Sequence, residues 1–226
     1  MCGRFATLLP QDAMAQLFDA TPANDLPREP NYNVCPTNTI AVATSEEGTR
    51  RLQPMRWGFL PHWYKTETGG PLLINARAET IAEKPAFKSA ARTRRCLIPA
   101  AGFYEWTKDA EGNRLPWYIH ATDGSPLVFA GIWQDWEREG RAHRSCAIVT
   151  CAASPRMSQI HHRQPVTLRP DDFALWLGEA GHGAARLMVP APDEALTFHR
   201  VGTEVNSNRA SGAHLIEPLD QTGASR

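Results

Sequence analysis

No uninterrupted apolar run in this chain approaches the roughly 18 residues that a membrane-crossing helix needs. Nor does a charged segment leading into an apolar stretch open it, so neither a membrane protein nor a secreted one is expected, and the cytoplasm is the expected location. Net charge is missing as well: 24 Lys and Arg balance 24 Asp and Glu, so overall charge gives no reason to expect a polyanionic partner. There is no repeat period, no regular strand–helix alternation of the kind a doubly wound parallel sheet requires, and no linker that divides the 226 residues.

Cysteine is scarce and odd in number. Cys2, Cys35, Cys96, Cys146 and Cys151 are five thiols without a secretory signal, which argues for reduced cysteines and against a disulfide framework. Cys146 and Cys151 with His143 match no zinc-finger or zinc-ribbon spacing, and buried free cysteines are ordinary core residues. No metal and no cofactor are expected.

What the chain does have is unevenly placed. Residues 50–106 carry ten Lys/Arg against four Asp/Glu, and residues 107–170 eight against six. Residues 1–49 carry two against six, and residues 171–226 four against eight. A basic middle between acidic ends makes either a local positive face or ordinary solvated surface. "DAMAQLFDA" has the apolar spacing of a short amphipathic helix, "PAFKSAARTRRC" reads as another, and "RPDDFALWLG" as a third that stops at Gly178. "TPANDLPREPNYNVCPTN", with four prolines and four asparagines, reads as an extended loop. "TIAVATS", "LPWYIHA", "LVFAGIWQDW" and "SCAIVTCAA" read as strands, "LLINARAET" as a strand leading toward helix, and "CLIPAAGFYEWTK" as a strand broken by Pro99 and Gly102. The expectation is an α+β single domain over residues 1–208. Short strands form a barrel-like β core with a few short helices, and a flexible polar tail follows over 209–226.

Several residues could carry chemistry. If Met1 is removed, Cys2 presents an α-amine and a thiol on adjacent carbons. Such a group can turn an aldehyde into an imine and close it to a thiazolidine, which no internal cysteine can do. It can also attack an amide; with Met1 retained, Cys2 is simply a small core residue. Glu105 in "GFYEW" is either a carboxyl held between aromatics as a general acid/base or the solvent-facing member of an alternating strand. In "IHHRQP", a strand would send His161 and His162 to opposite faces, so one at most serves a given site; the other reading is an exposed polar loop. Asn75 and Arg77 in "INARAET" share a face if extended and suit a polar or phosphate-bearing ligand. "RWGFLPHW" interleaves Trp57, Phe59 and Trp63 with Arg56 and His62, which suits either unpaired bases or a core edge.

At these residues the chain resembles a known family. "MCGRF", "YNVCPT", "MRWGFLPHW", "INARAET", "RRCLIPAAGFYEW", "FAGIW" and "IHHRQPV" stand in the order found in SOS-response-associated peptidase (SRAP) proteins, with "VNSN" similar to their late "VN" segment. The resemblance implies recognition of abasic sites in single-stranded DNA and a thiazolidine DNA–protein cross-link that shields the lesion. By motif it assigns Cys2 as nucleophile, Asn75 as the group orienting the amine or the opened sugar, Glu105 as acid/base and His161 as a sugar or phosphate contact assisting proton transfer. It implies Arg4, Arg77 and Arg163 as phosphate holders, and Pro36, Trp63 and Phe87 as wedge or stacking residues. DNA lyase and autopeptidase activities are compatible with the same groups, and Met1 leaves either autocatalytically or through an aminopeptidase. A thiol autopeptidase or amidohydrolase is the alternative function. The expected partner is single-stranded DNA bearing abasic sites, with no membrane, and the expected state is a monomer. Two positions depart from the family pattern: Gln164 where "IHxR" is usually followed by Met, and Cys35 where a small residue is usual.

Overall fold

Most strands here alternate between two buried faces, so few show a polar side. In the strand Thr39–Glu46, Ile40 and Val42 belong to one apolar cluster and Ala41 and Ala43 to another. The computed structural model describes residues 2–28 and 30–219. Its strands are β1 (Phe5–Thr7), β2 (Thr21–Pro22), β3 (Asn31–Val34), β4 (Thr39–Glu46), β5 (Thr49–Trp57), β6 (Asn75–Arg77), β7 (Arg95–Ala100), β8 (Gly102–Lys108), β9 (Arg114–Ala121), β10 (Leu127–Arg138), β11 (Arg141–Ala152), β12 (Arg163–Pro165) and β13 (Leu196–Arg200). Three helices join them: α1 (Gln11–Phe18), α2 (Lys88–Thr93) and α3 (Phe173–Leu177).

The order β11-β10-β7-β4-β5 closes on itself through a parallel pairing of β5 with β11, Arg56 opposite Ser145 and Trp57 opposite Cys146. This is a closed five-stranded barrel, as expected of an α+β single domain with few short helices. A second sheet, β13-β9-β8-β1-β3, shares one apolar cluster with it. There Phe5 meets Trp57 edge-on at 4.9 Å and Phe129 at 5.8 Å, fixing β1 onto the barrel. The other cluster is covered by the helices, through Met14 and Phe18 of α1, Ala90 of α2, and Phe173 and Trp176 of α3.

The proline-rich stretch is not all loop. Asn31–Val34 is β3, paired antiparallel with β1. Pro54 and Pro99 sit inside β5 and β7, paired with Ala41 and Val128, and do not end them. An antiparallel pair aims alternate N–H groups away from a given neighbour, so proline fits where its missing donor is not needed. The break between β7 and β8 falls at Ala101. Gly102 opens β8 because any Cβ there would lie 2.4 Å from the Tyr118 ring and 2.6 Å from Ile119 O. Residues 78–87 form turns, not the helix that "LLINARAET" suggested. Gly178, with φ of 90°, ends α3 as its position implied. In the stretch assigned to the polar tail, Leu215 is buried with Tyr104 and Tyr118, and residues 220–226 lie outside the described residues.

Candidate functional site

The register of β1 with β8 brings the two ends of the proposed chemistry together. Phe5 lies opposite Phe103 and Ala6 opposite Gly102, and Tyr104 N–H donates to Arg4 O at 2.9 Å. Continued by that pairing, the segment before β1 runs beside Glu105. Cys2 has no accessible surface, and its Sγ lies 4.0 Å from Arg4 O. Glu105 is 3% exposed and on the Phe103 side of β8, while Tyr104, also buried, occupies the opposite face, so neither side of the strand turns Glu105 to solvent.

A parallel pairing supplies the next group. β6 runs beside β11 with Asn75 opposite Ile148 and Arg77 opposite Thr150. Ala76 turns into the core, while Asn75 and Arg77 share the other face, as their spacing predicted. Asn75 Nδ2 donates to the Cys2 carbonyl at 2.8 Å, and its Oδ1, although buried, has no hydrogen-bond partner among the described residues. That oxygen is left to accept a hydrogen bond from a group arriving at Cys2.

His161 precedes β12 instead of lying within a strand, so the strand alternation expected of the His pair does not operate. The two rings stack at 4.4 Å. Nδ1 of His161 lies 3.0 Å from Arg163 N, 3.1 Å from Arg163 O and 3.9 Å from Glu105 Oε1. It accepts from the N–H in one neutral tautomer and donates to the carbonyl in the other. Burial sets the titration of the cluster. It pushes the Cys2 thiol far up, helped by the Glu105 charge; it raises the Glu105 carboxyl and lowers His161. His162 is lowered chiefly by His161. Near neutral pH the site therefore favours a thiol and a neutral imidazole, and burial shifts the Glu105 carboxyl toward its protonated form.

The arginines divide. Arg77 is exposed. Arg4 and Arg163 are buried, and their guanidiniums are engaged inside the protein. Arg4 donates to Asn33 Oδ1 at 2.6 Å, Val205 O at 2.9 Å and Asn208 Oδ1 at 2.6 Å. Arg163 forms two bonds to Glu79, at 2.7 and 2.9 Å, and one to Thr150 O at 2.7 Å. In this structure both are anchors, Arg4 for the N-terminal segment and Arg163 for His161, and not open phosphate contacts. Among the wedge candidates Trp63 is 44% exposed and Pro36 half-buried, but Phe87 is 8% exposed and packs edge-on against Phe59 at 5.5 Å in the core. A ring held there has no free face for a base.

Cys35 points inward, its Sγ 3.3 Å from Asn33 O, and so lies behind Arg4. Gln164 is fully buried; its Oε1 accepts Ser154 N–H at 2.8 Å. Cys146 and Cys151 fall in different apolar clusters. The anchors Asn33, Asn208, Glu79 and Thr150 escaped sequence reasoning. Glu79 stands inside "INARAET" and Asn33 and Asn208 inside quoted motifs, but nothing in a motif says which arginine an amide holds.

Fold and site define a barrel protein whose reactive groups gather around its own first residues. Within that class the chain belongs to the SOS response associated peptidase (SRAP) family, whose model matches residues 1–208. It is 34% identical over 224 residues to the abasic site processing protein YoaM of Bacillus subtilis (strain 168), covering 96% of this chain and 98% of that one. It is 31% identical over 229 residues to the abasic site processing protein YedK of Escherichia coli (strain K12), covering 97% and 100%. A crystal structure of a Bacteroides thetaiotaomicron protein shares the fold, with a TM-score of 0.84 at 23% identity over 96% of this chain and 100% of that one.

Removing the Asn75 amide tests the geometry directly. Asn75→Ala deletes the donor to the Cys2 carbonyl and leaves that carbonyl unpaired, a cost of about 1–3 kcal/mol. The melting temperature of Asn75→Ala is expected to fall by about 2–4 °C per kcal/mol lost, read in a thermal melt.

Proposed function

We propose that the protein acts on abasic sites in single-stranded DNA and, once Met1 is gone, joins the opened sugar to Cys2 as a thiazolidine. The observation that carries this reading is the Asn75 hold on the Cys2 backbone beside a buried Glu105 and His161. The relatives' names supply the lesion.

Glu105 in its protonated form gives a proton to the ring oxygen of the closed sugar and helps expose the aldehyde. The Cys2 amine adds to C1′, the carbinolamine loses water, and an imine results. The thiol then adds across the C=N bond: sulfur bonds to C1′ and its proton passes to nitrogen, so the net change is loss of one water. His161 relays protons between Glu105 and the sugar. Burial and Glu105 both favour the neutral thiol, so its proton must leave as sulfur bonds to the imine carbon.

The test is a denaturing gel of the Met1-free protein mixed with uracil-excised single-stranded DNA, beside a variant that retains Met1. A shifted, heat-stable band with the first and none with the second is expected; no band with the Met1-free protein overturns the reading.

DNA affinity should depend on salt mainly through exposed cations. Arg77→Ala is expected to reduce the slope of log K against log salt by about 0.7, the single-strand value for one phosphate contact. Arg163→Met should instead lower the melting temperature, because it strips Glu79 of its guanidinium partner and removes one of the two donors to Thr150 O, the other being Ala78 N–H. Fluorescence anisotropy across a salt series, with a thermal melt of each variant, checks both.

A further inference from the structure

On the side of Glu105 away from Asn75 the sheet carries a row of residues that the chemistry above does not use. The register sets Glu105 opposite Trp117, and Trp117 opposite Arg200. Directly opposed residues on neighbouring strands share a face, so the three form one line across β8, β9 and β13, about 10 Å long. Phe198 lies on the same face, edge-on to Trp117 at 5.7 Å. Arg200 lies over the Trp117 ring at 5.4 Å, and Arg156 over Phe198 at 5.2 Å. Trp117 is locked by its Nε1–H to Thr107 Oγ1 at 2.9 Å. All four side chains of this layer are half-buried, neither enclosed nor fully exposed.

Neither guanidinium forms an ion pair with a carboxylate among the described residues. Arg200 Nε donates to Pro116 O at 3.2 Å, and Arg156 Nη1 reaches only the Asp193 backbone oxygen, at 3.5 Å. Asp193 spends a carboxylate oxygen on the Arg156 backbone N–H at 3.0 Å. Locked aromatic rings overlaid by cations with donors to spare match a partner that is flat, unpaired and anionic at regular intervals. That partner is a single nucleic-acid strand.

We propose that Trp117, Arg200, Phe198 and Arg156 form a subsite for the nucleotide adjoining the lesion. Its base stacks on the aromatic–guanidinium layer, and its phosphate is held by the two arginines. The subsite rests on the reading of the Cys2 site given above, and the register continues that site one nucleotide outward.

The test compares three uracil-excised oligonucleotides: lesion central, lesion at the 5′ end, and lesion at the 3′ end. Cross-linking rates are measured for wild type, Arg200→Gln and Arg156→Gln. One end-placed lesion lacks the nucleotide that fills the subsite. The wild-type ratio of central to that end-placed rate should fall about tenfold in Arg200→Gln. An equal loss on all three substrates, or none on any, overturns the proposal. Arg156→Gln, which removes the second phosphate contact and uncovers Phe198, repeats the measurement should Arg200→Gln melt early. Anisotropy with an undamaged single strand separates the two readings. If wild type forms no adduct but binds this strand, and both variants bind it about five- to tenfold more weakly, the Cys2 reading fails and the subsite stands. If adducts form and the variants bind the undamaged strand as wild type does, the subsite fails and the Cys2 reading stands.

Discussion

On the proposed mechanism, Cys2→Ala is expected to leave no adduct that survives heating and denaturing electrophoresis. The alanine amine can still condense with C1′, so an imine forms, but nothing captures it. In the native protein the thiol is held two atoms from the imine nitrogen, and ring closures of this kind reach effective concentrations on the order of 10⁵ M or more. Removing that thiol is expected to lower the yield of lasting cross-link by at least about 10³-fold. The imine then hydrolyses or loses the 3′ phosphate by β-elimination, so the variant should nick the strand it no longer holds. Borohydride separates the steps: hydride adds to the imine carbon and a proton to nitrogen, and the trapped amine restores a stable band. The fold is expected to survive, since Cys2 is a small side chain in an apolar cluster and its Sγ lies as far as 4.0 Å from Arg4 O; about 1 kcal/mol is the ordinary cost of such a truncation. A durable Cys2→Ala band formed without borohydride would remove the thiazolidine from the mechanism.

The same residues mark how far the sequence could be read. The three helices followed from apolar spacing, and Gly178 from its place after the last periodic residue. Prolines misled, because composition says nothing about which N–H groups a strand pair needs; Pro54 and Pro99 both lie where none is missed. Barrel closure rests on a parallel contact between β5 and β11, nearly 90 residues apart, which no local pattern encodes. At the site, Asn75 and Arg77 were legible because a period of two is local. Arg4 and Arg163 were not. The resemblance implied phosphate contacts for both, and only the folded chain reveals the acceptors that occupy them. Phe87, which the resemblance implied as a wedge or stacking residue, is buried in the core against Phe59, a contact that no local pattern encodes.

Glu105→Gln should slow cross-linking about 10²-fold at neutral pH, within the ordinary range for a general acid, and should make the protein more stable there. The two effects share one cause. Burial raises the Glu105 carboxyl, so the folded chain holds that proton more tightly than the unfolded chain, where a glutamate titrates near pH 4.3. The stability this group contributes is therefore complete below about pH 4.3 and is lost as pH rises through the folded value. Glutamine has nothing to lose, so the melting temperature of Glu105→Gln should match wild type near pH 4 and exceed it increasingly above. His161 has the opposite sign: burial lowers it, and stability falls as pH drops below its unfolded value of about 6.5. That term is common to both proteins and cancels in their difference. In the rate profile the acidic limb reports the α-amine, which must be unprotonated to attack, and the alkaline limb reports Glu105 losing the proton it donates. Glu105→Gln should retain the first and lack the second. A variant with wild-type rate, or one that keeps the alkaline limb, assigns the proton donor to a group other than Glu105. A variant that slows but melts lower at every pH gives Glu105 a structural role instead.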